Sequence, residues 1–292
     1  MTYFSPTDLI INPDGSSYHL NIRPEQLCDT IFMVGDPERV EKVSCHFDRI
    51  DFKIHKREFV SHFGELAGKP IGVISSGIGA DNVEIVMNEL DALANIDFET
   101  REEKSQKRSL HLIRIGTSGS IQEDIPVDSV LISEAAIGFD NLAQFYHFSS
   151  DKSLLQNDLD LFCQQIGYPL PIYGAKASNQ LVHRFSQDAY FRDAFLGTTL
   201  TAPGFYAPQG RTVRMESILP DFLKDCSVTL VGKSKITNIE METSAYYAFS
   251  GVLGHEMISL NAILANRITH QFSTNPEKQI SQLIEKAIAL FS

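Results

Sequence analysis

The chain has 292 residues, 43% of them hydrophobic, and a formal net charge of −12. This fits one large α/β domain or two small ones, with length for a sizeable core, and the negative balance argues against nucleic acid or an anionic membrane as partner. Cys28, Cys45, Cys163 and Cys226 form no Cys-x-x-Cys pair, no apolar run reaches a membrane span and no signal pattern opens the chain, so the expectation is a reduced, cytoplasmic protein without a disulfide framework or a zinc site.

Residues 1–29 are polar and proline-containing and read as an N-terminal arm. A strand is expected over Thr30–Val34, broken by Gly35-Asp36-Pro37, with a short helix from Glu38. Pro70–Ser76 reads as a buried strand ended by Gly77-Ile78-Gly79. An amphipathic helix follows over Asp81–Ala94, with Asp81 or Asn82 as its cap. The interleaved charges of Arg101–Arg108 predict a solvated connection rather than a basic binding patch. Leu110–Ile115 is the next strand, closed by Gly116-Thr117-Ser118-Gly119-Ser120, and Ser129–Glu134 and Ile172–Ala177 are further strands. Phe185–Arg214, rich in aromatics, glycine and proline, reads as irregular. Val228–Val231 is a short strand, Met241–Leu253 a helix, Met257–Ala265 a strand and Pro276–Phe291 a closing helix. Alternating strands and helices without a linker predict a single-domain α/β fold over 1–292, with a mixed central β-sheet flanked by helices.

Several catalytic signatures are excluded. Gly77-Ile78-Gly79 lacks the third glycine of a dinucleotide fingerprint, and no Walker A loop is present. Gly116-Thr117-Ser118-Gly119 is not a hydrolase nucleophile elbow. His255-Glu256 has no second histidine for a zinc-protease helix.

What remains is a set of strand ends. Asn238-Ile239-Glu240-Met241-Glu242 places two carboxylates around a methionine at the mouth of an apolar helix. Desolvated carboxylates need partners. Sugar hydroxyls would serve, with the methionine against the ring, but acids at a helix N-terminus are also favoured by the dipole alone. Gly35-Asp36-Pro37-Glu38-Arg39 puts a tight turn and a guanidinium at a helix start, which suits an oxyanion such as phosphate. Arg114 lies inside an apolar strand and needs an anionic partner, either a structural carboxylate or a ligand. Thr117 adds a hydroxyl and Gly119 allows close backbone approach. Arg57, among alternating charges, is weaker evidence.

Together, Gly35–Lys42, Arg57-Glu58-Phe59, Ser76-Gly77-Ile78-Gly79, Arg114–Gly119, Asn238–Glu242 and Asn266-Arg267 resemble the nucleoside phosphorylase family, and within it the uridine-specific branch, over residues 19 to 290. The resemblance implies phosphate binding by Gly35, Arg39 and Arg114, with Thr117 bridging phosphate and ribose. It implies that Arg57 reaches the phosphate of a neighbouring subunit, and that His19 caps the ribose 5′-hydroxyl across the same interface. Glu242 is expected on the 2′- and 3′-hydroxyls, with Met241 against the sugar and Glu240 beside them. The active unit is then a homo-oligomer whose sites are completed across a dimer interface.

Base choice rests on Phe205-Tyr206-Ala207-Pro208-Gln209-Gly210-Arg211. In the uridine branch the phenylalanine stacks on uracil, the glutamine and arginine read its edge, and the arginine matching Arg267 orients them. An amide and a guanidinium together complement uracil's acceptor-donor-acceptor edge. Purine-specific relatives carry an aspartate soon after the late strand; Leu264–His270 holds no acid. Two departures are present: Ala207-Pro208-Gln209 replaces Pro-Gly-Gln, and Phe98–Ser109 resembles an insertion. Bacterial members with an interface potassium pair a glutamate, here Glu58, with a serine that is Asn82 in this chain, so potassium is not part of the expectation. The implied reaction is reversible phosphorolysis of uridine to uracil and ribose 1-phosphate, with Arg114, Arg39, Gln209 and Arg211 as the catalytic group, phosphate as co-substrate and no cofactor or metal. The alternatives are a phosphorylase or hydrolase of another nucleoside, purine or 5′-modified, and a non-catalytic nucleoside-binding protein.

Overall fold

The computed structural model describes residues 3–148 and 156–292; residues 1 and 2 of the arm and residues 149–155 lie outside it. In chain order the elements are β1 (Thr30–Val34), α1 (Glu38–Ser44), β2 (Arg49–Lys56), β3 (Phe59–Leu66), β4 (Lys69–Ser75), α2 (Ala80–Asn95), β5 (Ile96–Asp97), β6 (Glu102–Glu103), β7 (His111–Ser120) and β8 (Val130–Gly138). There follow α3 (Gln156–Ile166), β9 (Tyr173–Lys176), α4 (Asn179–Ser186), β10 (Phe195–Thr201), α5 (Phe222–Val228), β11 (Leu230–Val231), β12 (Ser234–Glu240), α6 (Thr243–Leu253), β13 (Glu256–Asn266), β14 (Gln271–Phe272) and α7 (Pro276–Ala289).

The central sheet is mixed and runs β11-β12-β10-β8-β13-β7-β1-β4-β3-β2. Strands β4, β1, β7 and β13 are parallel, β8 lies antiparallel to β13, and β10 and β12 continue parallel to β8. The far end of β7 then pairs antiparallel with β12, Asn238 facing Ser120 and Ile239 facing Gly119. That pairing closes β7, β13, β8, β10 and β12 into a barrel, with β1 to β4 as an open extension.

Apolar layers cover the sheet. The buried stripe of α2 (Val83, Val86, Met87, Leu90) and α6 (Tyr246, Tyr247, Phe249) packs on Ile31, Met33 and Leu112. On the other face α1 and α7 pack on Phe32, Val34, Ile113 and Ile115. Successive residues of β1 thus feed opposite layers, as the period of two requires. A third cluster joins α3 and α5 to β8, β10 and β12. Among the described residues, no helix is long and apolar enough to cross a membrane.

Some boundaries differ from the sequence reading. Helix α2 starts at Ala80, after Gly79 at φ +99°, so Asp81 and Asn82 lie in its first turn and do not cap it. Helix α6 starts at Thr243, with Glu240 still in β12 and Glu242 as N-cap. Val228 ends α5 and only Leu230–Val231 is strand. The irregular Phe185–Arg214 contains β10, a central strand. The charged connection is also less free than its composition implies. Arg101 donates to the Leu9 carbonyl at 2.7 Å and Arg108 to that of Leu27 at 2.8 Å, stapling the arm to the body. Within that arm Leu20 and Ile22 are fully buried.

Candidate active site

A cavity of about 770 Å³ opens where β1, β4, β7 and β12 end. Arg114 is its most constrained residue. It projects from β7 and folds back along its own strand over Gly116, where an added Cβ would stand 2.0 Å from Nη1. Glycine at that position is therefore a lane for the guanidinium. Nη2 lies 2.6 Å from Glu242 and 3.0 Å from Glu240. Nη1 donates to Ser259 Oγ and Asn261 Oδ1, both at 3.2 Å. Burial pulls the Arg114 pKa down, but the two carboxylates outweigh it and hold it above the ordinary arginine value.

The two glutamates do different work. Glu240, the last residue of β12, accepts from the backbone N–H of Glu242 (3.1 Å) and Thr243 (3.0 Å), from Thr243 Oγ1 (2.9 Å) and from Thr201 Oγ1 (2.7 Å). These include orphan donors at the start of α6, so the Glu240 carboxylate satisfies groups that the side chain of the N-cap residue, Glu242, leaves open. Its oxygens are bonded to protein, and the residue also lines the cavity beside Met241 and Glu242. Glu242 accepts from Gly79 N–H at 2.8 Å and from Arg114, and lines the cavity. One arginine facing two buried carboxylates leaves the trio one negative charge in excess. Burial first, and then Glu240 against the pull of Arg114, pushes the Glu242 carboxyl above its usual range.

At the adjoining wall, Gly35 and Arg39 frame the start of α1. Arg39 is 15% exposed and its nearest carboxylate, Asp36, stands 4.0 Å away. Burial, followed by the charge of Asp36 in opposition and that of Arg114 in support, leaves its pKa lowered. A half-buried guanidinium so poorly matched by protein anions, beside a second one, suits an anionic ligand.

Phe205, Gln209 and Arg211 also line the cavity. Gln209 is buried and its Oε1 accepts from Arg211 Nη1 at 2.6 Å; that guanidinium also lies 3.9 Å from the centre of the Phe205 ring. Arg267 donates to the Gln209 carbonyl at 3.2 Å and its stem lies 3.3 Å from where a Cβ of Gly119 would be. Burial, then repulsion from Arg267, pulls the Arg211 pKa down to about 10. Proline at position 208 is accommodated in a single 3-10 turn, Ala207–Gln209, closed by Gly210 at φ +66°.

The cavity thus brings together Gly35, Arg39, Arg114, Thr117, Gly119, Phe205, Gln209, Arg211, Glu240, Met241 and Glu242, with Arg267 behind them. It does not include Arg57 or His19. Arg57 sits exposed in the β2–β3 turn at φ +56°. His19 Nδ1 pairs with Glu89 at 2.7 Å on α2. Sequence reasoning assigned no role to Gly116, Gly79, Ser259 or Asn261. Only Gly116 had a legible signal: a glycine two residues after a strand arginine shares its face.

The sequence pattern of the phosphorylase superfamily matches residues 29–291. Uridine phosphorylase of Thermococcus kodakarensis is 26% identical over 279 residues, covering 96% of this chain and 88% of that one. A DeoD-type purine nucleoside phosphorylase of Bacillus velezensis is 21% identical over 266 residues, covering 90% and 93%. The crystal structure of a Trypanosoma brucei nucleoside phosphorylase, described as showing uridine phosphorylase activity, superposes with a TM-score of 0.86 at 28% identity, covering 97% of this chain and 98% of that one. The chain belongs to the phosphorylase superfamily, within its nucleoside phosphorylase family.

Proposed function

We propose that the protein catalyses reversible phosphorolysis of uridine, giving uracil and ribose 1-phosphate. The observation that carries this reading is the pairing of Gln209 with Arg211 in the cavity that Arg39 and Arg114 also line. An amide and a guanidinium face the base, two arginines face an oxyanion, and Glu242 and Met241 lie between them. The absence of an acid in Leu264–His270 favours a pyrimidine over a purine. The T. kodakarensis and T. brucei relatives support the same choice.

In this reading phosphate is both co-substrate and nucleophile. Gly35, Arg39 and Arg114 hold it beneath C1′, with Thr117 between phosphate and ribose. Glu242 accepts from the ribose hydroxyls. Phosphate oxygen attacks C1′ as the C–N bond breaks, and the electron pair leaves with the base. The sugar carries oxocarbenium character, stabilised by the phosphate charge. Gln209 and Arg211 stabilise the negative charge on the departing uracil, which then takes a proton. No resident cofactor is needed. Localisation in the cytoplasm and assembly into a homo-oligomer, with Arg57 and His19 completing a neighbour's site, belong to the same proposal.

Uracil release from uridine, measured with and without inorganic phosphate and beside thymidine, inosine and adenosine, tests it. Phosphate-dependent release from uridine is the expected result. Release without phosphate identifies a hydrolase, and turnover of inosine or adenosine alone identifies a purine enzyme. Nucleoside binding with no turnover identifies a binding protein. Arg114→Ala should lower kcat/KM by roughly two to four orders of magnitude, about 3–5 kcal/mol for stripping one partner from a buried charge cluster. Near-normal turnover in that variant would exclude Arg114 from phosphate binding.

A further inference from the structure

We propose that Asn261 is a positioning residue for the phosphate-binding guanidinium of Arg114. The inference rests on the preceding reading only in taking Arg114 to bind phosphate. On β13, Ser259 lies beside Arg114 and Asn261 beside Gly116, so both flank the lane along which the arginine folds back. Asn261 Oδ1 accepts from Nη1, while its Nδ2 donates to Ser133 Oγ at 3.1 Å and Ser259 Oγ at 3.2 Å. Ser133 Oγ and Thr199 Oγ1 are 2.6 Å apart, Thr199 donates to Asn238 Oδ1 at 2.9 Å, and Asn238 Nδ2 donates to Ser118 Oγ at 2.9 Å. A polar chain therefore runs from β13 through β8, β10 and β12 back to β7, around the inside of the barrel. All its side chains are buried, and Asn261 is fully so. Asn261 is not among the residues lining the cavity, so it acts through Arg114 and not on substrate.

The amide suits this task because it is neutral. Arg114 already faces Glu240 and Glu242. A third carboxylate would cancel the field that phosphate needs, whereas an amide oxygen orients Nη1 without adding charge. The hold on Nη2 is also contestable, since ribose hydroxyls and phosphate compete for Glu242 and for Arg114. The hold on Nη1 is out of reach of both. Asn261 keeps the guanidinium in its plane while Glu242 changes partners.

Titration of the protein with inorganic phosphate by calorimetry, beside the KM values for phosphate and uridine, tests the assignment. In Asn261→Leu, similar in size and apolar, the phosphate Kd and KM should rise roughly tenfold or more, the worth of one hydrogen bond to a charged group. The uridine KM should stay unchanged. Asn261→Asp keeps the acceptor oxygen and adds charge, and its phosphate Kd should also rise; it decides the matter if the leucine variant does not fold. A phosphate Kd equal to wild type in the folded variants, or parallel rises in both KM values, overturns the proposal while leaving the phosphorylase reading intact. A wild-type protein that binds no phosphate overturns both.

Discussion

Glu242 works against the stability of the fold that holds it. Its carboxyl titrates above the usual range because burial and Glu240 outweigh Arg114. A carboxyl whose folded pKa exceeds its unfolded value binds its proton more readily when folded. Stability is then lost as pH rises from the unfolded toward the folded pKa, and the cost is fully present above the folded pKa. Glu242→Gln should accordingly raise Tm, by on the order of 2 °C for each kcal/mol relieved, while phosphorolysis is lost; calorimetry and uracil release check the pair. A lower Tm would mean that the Arg114 contact outweighs burial. Activity in the wild type should decline on the acid side earlier than exposed carboxylates titrate, as Glu242 takes up its proton. The residue types of Glu-Met-Glu were legible in the sequence, and so was the choice between helix cap and sugar ligand. The division of labour was not, because it depends on where β12 stops and α6 starts, a boundary fixed by Thr201 from a distant strand.

Among the elements, β7 joins two kinds of packing. Its first half, Leu112 to Ile115, is buried between apolar layers, and so are β1 and most of β13. Such strands read as continuous hydrophobic runs, and the sequence pattern marks all three. Strands β10 and β12 escaped it because Thr199, Thr201, Asn238 and Glu240 form the buried polar lining of the barrel. A polar interior erases the alternation that marks a strand. Helix α3 was overlooked despite Leu159, Phe162, Cys163 and Ile166 at helical spacing. The same two-residue repeat yields a test at Gly116. Gly116→Ala puts a methyl group in the Arg114 lane. The guanidinium must leave its bonds with Ser259 and Asn261, and phosphate affinity should fall by about a hundredfold, two charged-group hydrogen bonds' worth. An unchanged phosphate Kd would show that Arg114 has another seat.

At the scale of the molecule, the cavity is open at its rim, where Ile78 is 71% and Phe272 74% exposed. Arg57 and His19, expected at the site, lie outside it in the single chain. If a neighbouring protomer supplies them, activity can be rebuilt from two defective chains. Arg57→Ala and Glu242→Ala proteins, each inactive alone, should regain phosphorolysis when unfolded together and refolded as a mixture. No recovery, with mixed oligomers shown to form, would confine the site to one chain. The roles of these two residues came from resemblance and not from local pattern, since nothing in a single chain's periodicity records what a second copy contributes.

The β7–β12 pairing that shuts the barrel carries one more implication. Arg114 and Glu242 are 128 residues apart in sequence and meet only because that seam forms. Bringing such distant segments together costs chain entropy before any contact repays it. The Arg114–Glu242 centre is therefore a property of the finished molecule, and no fragment ending short of β12 can retain it. On the proposed reading, phosphate binds only the closed form, acts as a clasp on the seam and favours the fold as a whole.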